Sequence, residues 1–250
     1  MRKSLQAFHH FFVQDTNSKG LLQSIHFNNV TVSGDTRFDR VSKILQQDNS
    51  LDFIDEFKNK QYTIVAGSTW KEDEKLLVNY INHQSSAGEK FIIAPHTIQQ
   101  EAIVALQKSI TKKTVLFSAK ANKKLEEYQV FIIDTIGILT KIYSVADAVY
   151  VGGGLKTGLH NILEPATFGV PIVIGNQFTK FKEAVDLVNL KGCISIANQE
   201  QFSSIFTRLK SDKEFRTSTG KINQKYIQNN IGATEMIMNY LETILKGNSF

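Results

Sequence analysis

AVYVGGGLKTGLHNILEPATFGVPIVIGNQFTKF, residues Ala148 to Phe181, decides how the chain is read. Ala148 to Val151 reads as a strand, Gly152, Gly153, Gly154 and Gly158 as a loop, His160-Asn161 as a helix start, and Pro171 to Ile174 as the next strand. A strand that passes through glycines into a helix N-terminus offers backbone N–H groups and the positive end of the helix dipole to whatever lies above the sheet, which suits an anion. Eight of the fifteen glycines fall between Gly137 and Gly192, a concentration expected where backbone approaches a ligand closely.

Asn161 and Glu164 are three apart and share one helix face. Two readings of the pair stay open. The carboxylate can accept both hydroxyls of a ribose, each charge-assisted bond contributing about 1.5–3 kcal/mol. Alternatively Asn161 is an N-cap and Glu164 its capping-box partner. Pro165 falls in the first turn, where its missing N–H costs little. Two standard nucleotide motifs are excluded. In G-x-G-x-x-G the third glycine comes one residue late, at Gly158, and no acidic residue ends the following strand. In G-x-x-x-x-G-K-[ST] the lysine is replaced by Leu159.

Outward from this stretch, strands and helices alternate. Strands are expected at Tyr62–Gly67, Lys90–Ala94, Thr114–Phe117, Val130–Asp134 and in GCISIA, with helices over WKEDEKLLVNYINHQ, TIQQEAIVALQKS, ILTKIYSVA, NILEPATFG and KEAVDLVNL. This predicts an α/β fold with a doubly wound parallel sheet, Rossmann-like, whose ligand sits above the carboxyl ends of the strands. Three amphipathic helices are expected after the last strand. FFVQ (Phe11 to Gln14), SKGLLQSI and NVTVSG, which starts at Asn29, read as a lone β-α-β fragment, and Gly34-Asp35 as a hinge or helix entry, with Asp39 as an alternative N-cap. The expected division is 1–33, 34–232 and a C-terminal helical segment, 233–250.

The polar residues collect in the strand-to-helix loops. Ser68 or Thr69 can cap the following helix with Glu72, or their hydroxyls and amides can receive a phosphate or carboxylate. Pro95-His96 ends the next strand, and Asp134-Thr135-Ile136-Gly137 a later one, where Ile136 is either a buried turn residue or an apolar platform. The composition is that of an ordinary globular chain: 250 residues, 42% apolar and 10% aromatic, enough for one large domain or two small ones. No apolar run approaches the ~20 residues that span a bilayer. The single cysteine, Cys193, reads as a small buried hydrophobe, and the six histidines lack metal-ligand spacing. A net charge of +5 favours an anionic partner, but the basic residues are dispersed without a stacking platform, so nucleic acid is not expected.

Three elements in order, D-T-I-G-I-L (Asp134 to Leu139), V-G-G-G (Val151 to Gly154) and H-N-I-L-E-P-A (His160 to Ala166), resemble the donor-binding half of the 3-deoxy-D-manno-octulosonic acid (Kdo) transferases of lipopolysaccharide synthesis. The resemblance implies a GT-B glycosyltransferase with CMP-Kdo as donor substrate, lipid A precursor as acceptor, inversion at the anomeric carbon, and no metal or other cofactor. It implies donor contacts from Ser68, Thr69, Pro95, His96, Ile136, Gly137, Ile138, Gly153, Gly154, Asn161, Ile162, Leu163, Glu164 and Lys180, with Lys156 as a further source of positive charge. Two departures stand out: the family's Pro-Arg-His lacks its arginine at Pro95-His96, and the family glutamate after the glycine is Ile138. The general base belongs to the family's N-terminal domain, of which residues 1–33 resemble the end. The chain alone is therefore expected to bind CMP weakly and transfer nothing, at or near the cytoplasmic face of the bacterial inner membrane through peripheral contact with an anionic surface. The alternatives are an epimerase or transferase using a uridine nucleotide, or a non-catalytic nucleotide-binding module.

Overall fold

The computed structural model describes residues 2–247; Met1 and residues 248–250, which the expected N-terminal and C-terminal segments include, lie outside them. The chain divides into two compact units, Met1–Gln46 with Ile227–Phe250, and Gln47–Tyr226. In the first, α1 (Arg2–Leu5), β1 (Phe11–Val13), α2 (Thr16–Gln23), β2 (Val30–Val32) and α3 (Thr36–Ser42) come first in the chain. The second holds α4 (Asp52–Lys58), β3 (Tyr62–Thr69), α5 (Lys71–His83), β4 (Glu89–Pro95), α6 (Gln100–Ser109), β5 (Thr114–Leu116) and β6 (Val130–Ile132). It continues through α7 (Leu139–Ile142), β7 (Ala148–Val151), α8 (Leu163–Thr167), β8 (Ile172–Gly175), α9 (Lys182–Asn189), β9 (Cys193–Ile196) and α10 (Gln199–Ser211). The division falls inside α11 (Lys213–Asn229), and α12 (Ala233–Gly247) returns to the first unit.

The expected β-α-β fragment is present in the first unit: β1 and β2 pair in parallel, Phe11 against Val30, with α2 between them capped by Asp15. Gly34 does not open the nucleotide-type unit. Residues 34–46 group with the first unit, because the Asp39 carboxylate accepts from the amides of Gly232 and Thr234 at 2.6 and 2.7 Å, at the start of α12. Asp35, not Asp39, caps α3. Burial pushes the Asp39 pKa up, but the hydrogen bonds from Gly232 and Thr234 outweigh it and leave the carboxyl below its usual value.

The second unit is the doubly wound sheet read from the sequence. Seven strands run in the order β5-β6-β4-β3-β7-β8-β9, every pair parallel. The central strands are apolar on both faces, as a sheet covered by helices on each side requires. Ile64, Ala66, Phe91, Ile93, Ala148 and Tyr150, at period two, build one core layer with Leu77 and Tyr80 of α5 and Phe202 and Phe206 of α10. Cys193 is 2% exposed, and burial pushes its thiol pKa up, so it is a packed hydrophobe without nucleophilic character. From β3 the chain winds outward through β4 on one side and resumes at β7 on the other. The strand order therefore reverses between β3 and β7, and the crevice at their carboxyl ends is where such sheets hold ligands.

Candidate functional site

That crevice is built from the bend at the end of β3 and the glycine turn after β7. Gly67 pairs with Ala94 of β4 and with Val151 of β7. The ladder to β4 then skips Ser68 and resumes with Thr69 against Pro95. Ser68 takes a left-handed backbone, φ 53°, which costs a non-glycine residue about 1–2 kcal/mol. Strain of that kind collects where a chain must aim a residue, and the Ser68 hydroxyl makes no hydrogen bond among the described residues. Replacing Ser68 by glycine is expected to leave thermal stability unchanged or raise it by up to about 1 kcal/mol while weakening binding of a phosphate ligand; a variant that loses stability instead refutes the strain assignment.

Asp73, in the first turn of α5, is the hub. It is 1% exposed. Its Oδ1 accepts from the Tyr150 hydroxyl at 2.6 Å, and its Oδ2 accepts from the amides of Trp70 and Gly153, each at 2.9 Å. Tyr150 is pushed to a higher pKa by burial and then by Asp73, so it stays a neutral donor. The carboxylate thus caps α5 and fixes the glycine turn in one stroke. Gly153 has φ 88°, and a Cβ there would collide with the carbonyl of Gly158; a Cβ on Gly152 would collide with the Ser68 carbonyl and Asp73. The expected Ser68/Thr69–Glu72 cap is not formed. Asp73 takes the Trp70 amide, Thr69 donates to Glu74 at 3.2 Å, and Glu72 pairs with exposed Lys156 at 3.2 Å.

The glycine turn itself differs from the sequence reading. The amides of Gly152 and Gly153 are not open to an anion, since they donate to Gly67 and Asp73. The helix begins at Leu163, not His160, and α8 is only five residues long, so its dipole is slight. Gly154 donates its amide to no group among the described residues.

Three rings stand over the turn. Trp70 and His96 stack with centroids 4.5 Å apart, His96 and His160 at 4.4 Å. The Trp70 indole donates to His160 Nε2 at 2.9 Å. Burial, and then His96, lower the His160 pKa against the opposing pull of Asp73, so the imidazole is neutral at pH 7. His96 itself is exposed.

Beyond the turn, Asn161 Oδ1 accepts from the Leu163 amide at 3.1 Å, and Asn161 Nδ2 donates to Glu164 Oε1 at 2.9 Å. The expected N-cap at Asn161 is displaced: the N-cap of α8 is Ile162, which makes no side-chain cap bond, and the capping box is not formed, because Glu164 reaches the Asn161 side chain and not its amide. Glu164 Oε2 accepts from Thr140 at the start of α7, at 2.6 Å, which ties the Asp134–Leu139 loop to α8. Asp134 is occupied by the amide and hydroxyl of Ser118. Ile136 is 78% exposed rather than buried. Gly137 is exposed beside it, and Ile138 is half-buried at the N-cap of α7. Ile162 and Leu163 are buried in the core beneath the site and present no side chain to a ligand. Lys180 is exposed, and its side chain makes no hydrogen bond or ion pair among the described residues. A groove of about 1000 Å³ opens at Thr69 and Trp70 and runs down between α5 and α6.

Sequence reasoning missed Asp73, Tyr150, Trp70 and Thr140. Asp73 is one of three acidic residues in the first turn of α5, with Glu72 and Glu74, and nothing in the spacing announces a partner 77 or 80 residues away.

No family model matches the chain. In sequence it is similar to the 3-deoxy-D-manno-octulosonic acid transferase of Haemophilus influenzae, 24% identical over 230 residues, 88% of this chain and 52% of that protein. The enzyme of the same name from Chlamydia trachomatis is 26% identical over 189 residues, 73% of this chain and 43% of that protein. The chain spans about half the length of the curated relatives it matches. In structure it is similar to the C-terminal CMP-Kdo binding domain of WaaA from Acinetobacter baumannii, with TM-score 0.61 and 21% identity over 76% of this chain and 97% of that one. Anabaena HepE, solved with UDP-glucose, superposes with TM-score 0.56 and 11% identity over 94% of this chain and 63% of that one. The chain is therefore similar in sequence to the 3-deoxy-D-manno-octulosonic acid transferases over about half their length, and its fold is the Rossmann-like α/β fold of GT-B glycosyltransferases.

Proposed function

We propose that the chain is the donor-binding half of a Kdo transferase and holds CMP-Kdo in the crevice between β3 and β7. The observation that carries the reading is the meeting at one sheet edge of the three elements that resemble the family: the Asp134–Leu139 loop reaches Glu164 through Thr140, and the glycine turn is pinned to the start of α5 by Asp73. In this reading the CMP phosphate lies near Gly154 and Ser68. Donors there stabilise the charge that develops as the bond from the anomeric carbon to phosphate oxygen breaks. Exposed Ile136 and Gly137 take the flat face of cytosine, and Glu164 takes the ribose. The attacking hydroxyl belongs to a lipid A precursor, and its proton leaves to a base outside these 250 residues. Donor binding needs no metal in this proposal, and contact with the anionic cytoplasmic face of the inner membrane is peripheral. Among the described residues no helix is long and apolar enough to cross a membrane.

Calorimetry of the 250-residue chain with CMP, UMP and UDP tests the assignment. CMP is expected to bind with the highest affinity. A preference for either uridine nucleotide overturns the cytidine reading in favour of another nucleotide-sugar enzyme of the same fold.

A further inference from the structure

Trp70 and His160 come from the two sides of the crevice, one at the start of α5 and the other in the loop that leads to α8. They meet through indole Nε1 and imidazole Nε2 at 2.9 Å. An indole N–H can only donate, so Nε2 must be the unprotonated nitrogen. A neutral imidazole then carries its single proton on Nδ1. The surroundings hold that state. The His160 backbone amide donates to Gly152, its ring lies against Gly153, and the near-parallel rings of Trp70 and His96 prevent it from turning freely. The titratable groups that act on it are His96, which opposes a second proton, and Asp73, which favours one.

We infer that Trp70 is a positioning residue for donor binding: it locks His160 as the neutral Nδ1–H tautomer, so that the one remaining ring N–H is a fixed hydrogen-bond donor to an anionic oxygen of the nucleotide sugar. The inference rests on the donor-site reading above and goes beyond it. A free imidazole divides its proton between two nitrogens and offers its N–H in the wrong place part of the time. The indole removes that choice before the ligand arrives, which is preorganisation. Protonation of His160 would set two N–H groups against each other across the Trp70 contact.

The test uses the full chain labelled with 15N-histidine. Long-range proton–nitrogen correlation at neutral pH reads the tautomer of each histidine without any ligand. His160 is expected with its proton on Nδ1, and Trp70→Phe is expected to release it to a tautomer mixture. CMP affinity, read by calorimetry, should fall about tenfold in Trp70→Phe, equivalent to about 1.4 kcal/mol. In a His160→Asn background, where an amide nitrogen stands near the Nδ1 position, adding Trp70→Phe should change CMP affinity by less than about twofold, because coupled residues are non-additive. A proton found on Nε2 in the unaltered chain overturns the inference, and so does an equal loss of CMP affinity in both backgrounds. If the unaltered chain binds none of CMP, UMP and UDP, the donor-site reading falls, and this inference with it.

Discussion

Replacing Asp73 by alanine is expected to lower the stability of the seven-stranded unit by about 4 kcal/mol and to abolish CMP binding. The carboxylate is buried and serves three donors: the Tyr150 hydroxyl and the amides of Trp70 and Gly153. Each buried donor left without an acceptor costs about 1–3 kcal/mol, and the cavity adds to that. At roughly 2–4 °C per kcal/mol for a unit of this size, the melting temperature should fall by about 10 °C. Asparagine is the graded control. Its amide oxygen can keep the two backbone donors on the Oδ2 side, while its NH2 meets a Tyr150 hydroxyl that rotates to accept. The charge assistance is then lost and the rotated Tyr150 proton is left without its acceptor, together about 2–3 kcal/mol. The order alanine below asparagine, with asparagine below the unaltered chain, is the expected result in circular-dichroism melts. An alanine variant that melts within 2 °C or so of the unaltered chain would show that the glycine turn stands without its anchor.

The same carboxylate shows where sequence reading stops. Alternating apolar runs separated by helical patterns specify a parallel sheet because each βαβ step is local, and the strands duly pair in the expected doubly wound order. The loops that carry polar groups are legible for the same reason. Which group in one loop grips which in another is not local. Whether Asp73 or Glu72 caps α5 depends on the approach of Gly153, 80 residues on. The sequence pattern also made the two short helices look long. Tyr143 follows α7 in a 3-10 turn, and a Cβ on Gly67 would collide with its hydroxyl, so tight packing under the site leaves no room for side chain at Gly67. α8 starts late because Asn161 spends its oxygen on Leu163 and its NH2 on Glu164. The resemblance named the neighbourhood of the site, and geometry then reassigned roles inside it. Ile162 and Leu163 are core, while Trp70 and His160, for which no donor contact was expected, are hydrogen-bonded to each other beside the glycine turn.

Glu164 carries the second large expected effect, and the lone-pair count makes it specific. An ionised carboxylate has about four acceptor positions. Asn161 takes one at Oε1 and Thr140 one at Oε2, which fixes the group in orientation and leaves about two free. Two is the number a ribose needs for its 2′ and 3′ hydroxyls. The structural contacts of Glu164 and the proposed ribose contact, which the spacing alone could not separate, are therefore compatible: Asn161 and Thr140 orient the carboxylate toward which the proposal places the sugar. With two charge-assisted bonds at about 1.5 kcal/mol each, Glu164→Ala should weaken CMP binding about 100-fold. Glu164→Gln keeps the shape; its amide oxygen can accept from Asn161 while its NH2 donates to a Thr140 hydroxyl that rotates to accept, so that mainly the charge is lost, and it should cost about tenfold. The decisive comparison is CMP against 2′-deoxy-CMP. The unaltered chain should prefer CMP by about tenfold, one lost hydrogen bond to a charged group, and Glu164→Ala should bind the two alike. If the preference for CMP survives the alanine substitution intact, the ribose is held elsewhere, and Glu164 is only the brace between α7 and α8.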